Sequence, residues 1–273
     1  MTYDRLNSLS YRDIAMPGEE VALNVLRKIP GLEKLLDLAL SSMLHMTTLP
    51  EVQADMFRVT EKTYPRLYRL YALACSRLSI REMPPLFVKA DFEFNAMCAG
   101  GAKPFVILHS SFAKLASDTA LLGILGHELG HMLSGNQSYC WLAQVLVPLA
   151  RNVPMVGELL TPALSVALMH WFRMHEYSAD RAGAIAAGSP DGMIEGLGMC
   201  LGAAENLPGI HITTEDLLAQ HQAQQEESDN LISRVILTSM LIGAEHPWAT
   251  DRIHAMRQWK ESGGFDQVIR KAA

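Results

Sequence analysis

The chain has 273 residues, of which 49% are hydrophobic and 19% are charged, a balance typical of a globular protein and not of a disordered one. The formal net charge is −6, and no run of basic residues is present, so no nucleic-acid partner is expected. The four cysteines are far apart and form no C-x-x-C pair, which predicts reduced side chains rather than a disulfide framework.

The first 20 residues carry several charged side chains and no apolar signal-peptide core, so a cytoplasmic location is expected. The longest apolar runs, residues 141–150 and 159–172, are shorter than the roughly 20 residues that span a bilayer. Two interpretations of the segment 141–172 stay open. It forms two buried core helices, or it is an apolar helical hairpin that makes a peripheral contact with a membrane or a partner protein. The sequence leaves the oligomeric state open.

In chain order, the apolar spacing first predicts helices over residues 20–80, with a further helical start at Pro50. After two adjacent prolines, short apolar runs predict three strands, and from Ser110 to the C-terminus the pattern is helical again. One small sheet in a mostly helical chain predicts the α+β fold class. The helical apolar positions include Leu32, Leu35, Leu36, Leu40, Met43 and Leu44, and the predicted strands are residues 86–90, 92–98 and 105–109, the last two joined through Gly100 and Gly101.

The strongest chemical signal is an H-E-x-x-H motif formed by His127, Glu128 and His131. Residues four positions apart share one face of a helix, so the two imidazoles can reach one metal ion. Glu128 follows the first histidine, where its carboxylate can act as general base on the attacking water. The motif therefore predicts metal-assisted hydrolysis.

A third ligand is expected downstream, because a zinc site of this kind uses three protein ligands and leaves one position open. Glu176 and Asp180 are four positions apart on a predicted helix and share a face. One carboxylate can bind zinc, and the other can accept a hydrogen bond from a ligand histidine and fix its tautomer. His175 adjoins Glu176, but its side chain points about 100° away on a helix, which predicts that it is not a ligand.

These motifs, in this order, resemble the HtpX-like and CAAX-prenyl-protease group of gluzincin zinc metallopeptidases, metallopeptidase family forty-eight. The resemblance covers roughly residues 85–257, and the chain lacks the spanning helices of the membrane-embedded relatives, which implies a soluble member. The family's motifs are matched by His127-Glu128-x-x-His131, by Glu176 to Asp180, by Asn95-Ala96 and Pro104 upstream, and by His246-Pro247 and Arg252 downstream.

By this resemblance, His127, His131 and Glu176 bind one Zn²⁺ per chain. Glu128 takes a proton from water and later passes it to the leaving amine. The resemblance also implies a mostly helical, zincin-like metallopeptidase domain with a small mixed sheet over residues 85–273. Residues 1–84 are then expected to form an N-terminal helical region packed on that domain.

The resemblance places further residues around the metal. His246 is expected near it, either as a stabiliser of the oxyanion or as an extra ligand in a latent state. Asp180 is expected behind a ligand histidine, and Arg252 is expected as a structural ion-pair partner. An extended substrate is expected to add as a strand to the edge of the sheet, at the strand of Phe105, Val106, Ile107, Leu108 and His109.

The predicted function is a zinc-dependent endopeptidase that cleaves peptide or protein substrates. An alternative keeps the fold without turnover, as a catalytically latent or inactive metal-binding chaperone or interaction protein. A third reading is hydrolysis of a non-peptide amide. The sequence alone leaves the three open.

Overall fold

The computed structural model is mostly helical with one small four-stranded sheet, which confirms the predicted α+β, zincin-like fold. One hydrophobic core joins the sheet to the helices that follow it, and a second joins N-terminal helical residues to residues 140–147 and 164–172. The structure describes residues 6, 8–37, 39, 54–100, 103–147, 161–203, 212–227 and 246–272.

The helices account for most of the described chain, and their order follows the predicted pattern after residue 110. The predicted helical positions Leu40, Met43 and Leu44 and the start at Pro50 lie outside the described residues. The helices are α1 Tyr11–Ile14, α2 Glu19–Leu26, α3 Pro65–Arg77, α4 Ser110–Leu115, α5 Asp118–Ser134, α6 Gln137–Trp141, α7 Pro162–Ala187, α8 Pro190–Cys200, α9 Thr214–Glu227, α10 Ala249–Glu261 and α11 Gly264–Ala272, with a π-helix at Leu142–Leu146.

The sheet contains one strand that interrupts the region predicted to be helical. This strand, β1 (Phe57–Arg58), pairs antiparallel with β2 (Leu86–Lys89). The other two strands are β3 (Ala96–Ala99) and β4 (Phe105–His109), and the spatial order is β1-β2-β4-β3. β1 and α3, which precede residue 85, therefore contribute to the same sheet and core as the residues that follow.

The position of β4 corrects one expectation. Phe105, Val106, Ile107, Leu108 and His109 form a strand as predicted, but the strand is internal and not an edge, because β2 pairs with it in parallel and β3 pairs with it antiparallel. The physical reason is burial, since all five residues are buried and a strand covered on both faces belongs inside a sheet. Among the described strands, the open edge beside α5 belongs to β3.

Helices α5 and α7 pack closely against each other, because small residues line their contact. A Cβ added at Gly126 would lie 2.3 Å from the Cβ of Ala186, and one added at Gly130 would lie 2.7 Å from the Cβ of Ala182. Neither distance is possible for real carbon atoms, so only glycine fits at both positions. This close approach brings the middle of α7 against the H-E-x-x-H turn of α5.

The apolar segment 141–172 is described only at its two ends, and residues 148–160 lie outside the described residues. At the described ends, Leu142 and the α7 residues Leu168, Trp171 and Phe172 are buried in the second core. The burial of these side chains agrees with the interpretation of the described ends as core helices. Within the described chain, no helix is long and apolar enough to cross a membrane.

Candidate metal centre

His127 and His131 lie on one face of α5, and both side chains are buried. Their Nε2 atoms are 3.1 Å apart, and the rings meet edge to face. Two unprotonated imidazole nitrogens at this distance repel each other unless a proton or a metal ion lies between them. The two nitrogens are therefore placed where both could bind one cation.

Glu176 of α7 brings a carboxylate to the same point. Its Oε1 is 3.3 Å from His131 Nε2, and its Oε2 is 3.7 Å from His127 Nε2. Ligand atoms that surround zinc tetrahedrally at 2.0–2.1 Å are about 3.3 Å apart, so all three separations fit. Glu176 Oε1 is also buried with no hydrogen-bond partner, a costly state that a metal ion would relieve.

The protonation states of these groups suit a metal ligand set. Burial lowers the pKa of His131 well below its ordinary value, which keeps the imidazole neutral. Burial alone would raise the pKa of Glu176, but the neighbouring imidazoles, led by that of His246, outweigh it and hold the pKa well below its ordinary value. Metal ligation needs neutral imidazoles and an ionised carboxylate.

Asp180 and Arg252 support His127 from behind. Asp180 Oδ1 is 2.9 Å from His127 Nδ1, so the Nδ1–H can donate to the carboxylate, and in this tautomer Nε2 is available to a metal ion. Arg252 of α10 donates to both oxygens of Asp180, at 2.6 and 2.9 Å. Burial alone would raise the pKa of Asp180, but the Arg252 guanidinium outweighs it and holds the pKa below its ordinary value.

Glu128 follows His127 on α5 and is buried. The residue is 6% exposed, and burial raises the pKa of its carboxyl. A carboxyl whose pKa moves toward neutral suits a group that both accepts and returns a proton.

His246 reaches the same centre from the chain just before α10. Its Nδ1 is 2.7 Å from Glu176 Oε2, so the imidazole contacts the carboxylate that faces both histidines of α5. Its side chain is 42% exposed, more than any of the groups described above. Among these groups, His246 is therefore the one that solvent reaches.

The sequence interpretation missed the groups behind His131. His175 Nε2 is 3.0 Å from His131 Nδ1, a contact that the sequence analysis did not predict. His175 Nδ1 is in turn 3.0 Å from Oε1 of Glu19, on α2. Cys140 lies beside the two histidines, within 4.8 Å of their ligand atoms. No local sequence pattern predicts that Glu19 is buried, since a glutamate in the first turn of a helix is ordinarily exposed to solvent and interacts with the helix dipole.

Comparison with known proteins agrees with the motifs. The sequence model of Peptidase family M48 matches residues 67–260, a range that includes His127, Glu176 and Arg252. The plastoglobule-localized metallopeptidase 48 of Arabidopsis thaliana chloroplasts is 26% identical over 262 residues, which are 95% of this chain and 76% of the relative. No solved structure matches. Since the family model covers more than half of the sequence, the chain belongs to peptidase family M48, a metallopeptidase family, as its motifs predicted.

Proposed function

We propose that this protein is a zinc-dependent endopeptidase with one Zn²⁺ per chain. Membership of a metallopeptidase family supports proteolysis, and the donor set supports the metal. The single observation that carries the proposal is the convergence of His127 Nε2, His131 Nε2 and the Glu176 carboxylate within 3.1–3.7 Å of one another. Two imidazoles and one carboxylate are a donor set that zinc hydrolases use.

Each residue around the metal has a separate role in hydrolysis. When bound, zinc supplies Lewis acidity that polarises the scissile carbonyl and makes water a better nucleophile at neutral pH. Glu128 accepts the proton of the attacking water and returns it to the leaving amine. Asp180, held by Arg252, keeps His127 in the tautomer with a free Nε2. His246 donates a hydrogen bond to the oxyanion as the carbonyl becomes tetrahedral.

The substrate is a peptide or protein segment that binds in extended form along β3. This replaces the role that the sequence analysis gave to Phe105–His109, because β4 has no free edge. Support comes from the packing of β3 against α5 and from the backbone groups on its outer side. Main-chain hydrogen bonds to such an edge hold a peptide without fixing its side chains.

The experiment combines metal analysis with peptide cleavage. Purified protein is assayed for zinc content and for cleavage of casein and a proteome-derived peptide library, with and without a chelator. We expect one zinc per chain, cleavage that the chelator abolishes, and a Glu128→Gln variant that keeps zinc and fold but loses cleavage. A wild-type protein without transition metal, or with cleavage indifferent to chelator and to Glu128→Gln, contradicts the proposal.

A latent or inactive metal-binding chaperone or interaction protein remains the second candidate. The contact of His246 Nδ1 with Glu176 Oε2, at 2.7 Å, favours it, because a histidine seated on the third ligand can close the open coordination position. Zinc binding with no cleavage of any peptide in the library would support this candidate.

We also propose a cytoplasmic location with a peripheral contact through the segment 141–172. The support is indirect, since the Arabidopsis relative is named as plastoglobule-localized. Flotation of the purified full chain with vesicles of neutral and anionic lipids tests the contact, and absence of co-flotation with both contradicts it.

A further inference from the structure

A buried polar network joins the N-terminal segment, residues 10–26, to the side of α7 that faces the metal centre. Glu19 lies at its middle and is 3% exposed. Its carboxylate accepts hydrogen bonds from the Tyr11 hydroxyl, at 2.7 and 2.9 Å, and from the Ser178 hydroxyl. The third group at this carboxylate is His175, 156 positions away in the sequence. A carboxylate buried this deeply needs such donors, and here it has three.

With a metal ion on His131 Nε2, the hydrogen bonds of this network would all run in one direction. If His131 binds metal through Nε2, its proton is on Nδ1, and the acceptor at 3.0 Å is His175 Nε2. His175 then carries its own proton on Nδ1, which faces Glu19 Oε1 at 3.0 Å and the Tyr11 oxygen at 2.7 Å. Each donor therefore points toward the same carboxylate. The His175 ring is held in place by stacking on Trp171, with centroids 5.0 Å apart.

The two ligand histidines of α5 are thus supported in parallel ways. The Nδ1–H of His127 reaches a carboxylate directly, at Asp180. The Nδ1 of His131 is connected to a carboxylate through one intervening imidazole. That imidazole belongs to His175, and the carboxylate is that of Glu19. A carboxylate behind a ligand histidine fixes its tautomer and ring orientation and raises its basicity.

We propose that Glu19 is a positioning residue of the metal centre, which acts through His175 to hold His131 in its metal-binding tautomer. The inference rests on the proposed function, since it takes His131 as a zinc ligand. It makes the N-terminal segment part of the metal centre, although this segment precedes the family match at residue 67. The segment is anchored beside the network, where Ser178 Oγ accepts from the Met16 N–H at 2.7 Å and Arg181 donates to the Ala15 carbonyl at 3.1 Å.

The main test measures zinc affinity of the full chain by competition with a chromogenic chelator, for Glu19→Gln and for Asp13→Asn. Asp13 is a matched control, because it is a carboxylate of the same segment that pairs with Lys271 and not with the network. We expect Glu19→Gln to bind Zn²⁺ about 10- to 100-fold more weakly, and Asp13→Asn to bind within about twofold of wild type. Circular dichroism and thermal unfolding of the metal-free variants monitor the fold.

A double-mutant cycle separates positioning from general stability. In a His175→Gln variant, the amide oxygen can still accept a hydrogen bond from His131. The imidazole that connects Glu19 to His131 is then absent, so Glu19 no longer influences His131 through it. We expect Glu19→Gln to cause no additional loss of zinc affinity in this background. Independent, additive losses would overturn the proposal, as would equal losses in Glu19→Gln and Asp13→Asn.

Nuclear magnetic resonance tests the hydrogen bond between His131 and His175 in the wild-type protein, so the test does not depend on the folding of a variant. In zinc-loaded wild-type protein with ¹⁵N-labelled histidine, we expect His131 to carry its proton on Nδ1 and to show a scalar coupling across the hydrogen bond to His175 Nε2. No coupling overturns the proposal. Two zinc ions per chain, one of them lost in Cys140→Ser, also overturn it, because His175 would then be a ligand.

Failure of this inference and failure of the proposed function give different results. A wild-type protein that binds no zinc defeats the proposed function. A wild-type protein that binds zinc, together with a folded Glu19→Gln variant of the same affinity, defeats only the role of Glu19.

Discussion

Arg252 and Asp180 form a bidentate ion pair in the interior of the protein. The guanidinium donates through Nη2 to Oδ1 at 2.6 Å and through Nε to Oδ2 at 2.9 Å, and both side chains are buried. Because Oδ1 also accepts from His127, the pair connects α10, α7 and α5 at one point. Helix α10 therefore takes part in holding a candidate metal ligand.

Replacing Asp180 by Asn keeps the shape of the side chain and removes its charge. We expect the free energy of unfolding of the metal-free protein to fall by about 3 kcal/mol, because the guanidinium of Arg252 stays buried opposite a neutral amide. Urea unfolding measures the change. The control is Asp191→Asn, since Asp191 pairs with Lys260 at the surface and its loss should cost less than about 1 kcal/mol. Equal losses in both variants contradict this account of the buried pair.

The sequence predicted the parts of the centre that depend on local geometry. His127 and His131, like Glu176 and Asp180, are pairs four positions apart, and helical periodicity alone aligns each pair. The meeting of the two helices is not local, since it depends on small residues such as Gly126 and Ala186 that look ordinary in sequence. The sequence paired the two helices through the need for a third metal ligand, and the family resemblance then supported that pairing.

Two features escaped the sequence for physical reasons. The order of strands in a sheet is a long-range property, so the interior position of β4 could not be deduced from its apolar residues alone. The burial of Glu19 depends on α7 covering it, 156 positions downstream at His175. Local patterns carry no record of either contact.

A Gly126→Ala substitution tests the close packing of α5 against α7. We expect the free energy of unfolding to fall by about 1–3 kcal/mol, because the new methyl group would lie 2.3 Å from the Cβ of Ala186. Zinc affinity should fall with it, since any separation of the helices moves Glu176 away from the two histidines. The double variant with Ala186→Gly should recover part of both losses. A single variant as stable as wild type contradicts the packing argument.

His246→Ala distinguishes the two roles proposed for this residue. We expect kcat to fall about 100-fold with zinc affinity nearly unchanged, because a donor to the oxyanion acts mainly in the transition state. A rise in activity would instead identify the contact with Glu176 as a latent state. The control is His254→Ala, since His254 is in the same C-terminal region but stacks on His221, with ring centroids 4.4 Å apart.

The open edge of β3 gives a test of the substrate strand. The N–H of His109 donates to the carbonyl of Asn95, its opposite residue in the register, so hydrogen-bonded pairs alternate from there and Cys98 turns its N–H away from β4. Cys98→Pro removes this outward N–H and leaves the hydrogen bonds between β3 and β4 intact. Proline is tolerated on an edge strand where the N–H faces away from the neighbouring strand.

We expect Cys98→Pro to raise KM for peptide substrates about tenfold, the equivalent of one lost hydrogen bond of roughly 1.4 kcal/mol. Cys98→Ala is the matched control, because it shortens the side chain and retains the N–H, and its KM should stay near that of wild type. Thermal unfolding of both variants monitors the sheet. If the two variants bind peptide equally well while both remain folded, the substrate does not pair with β3 at this position.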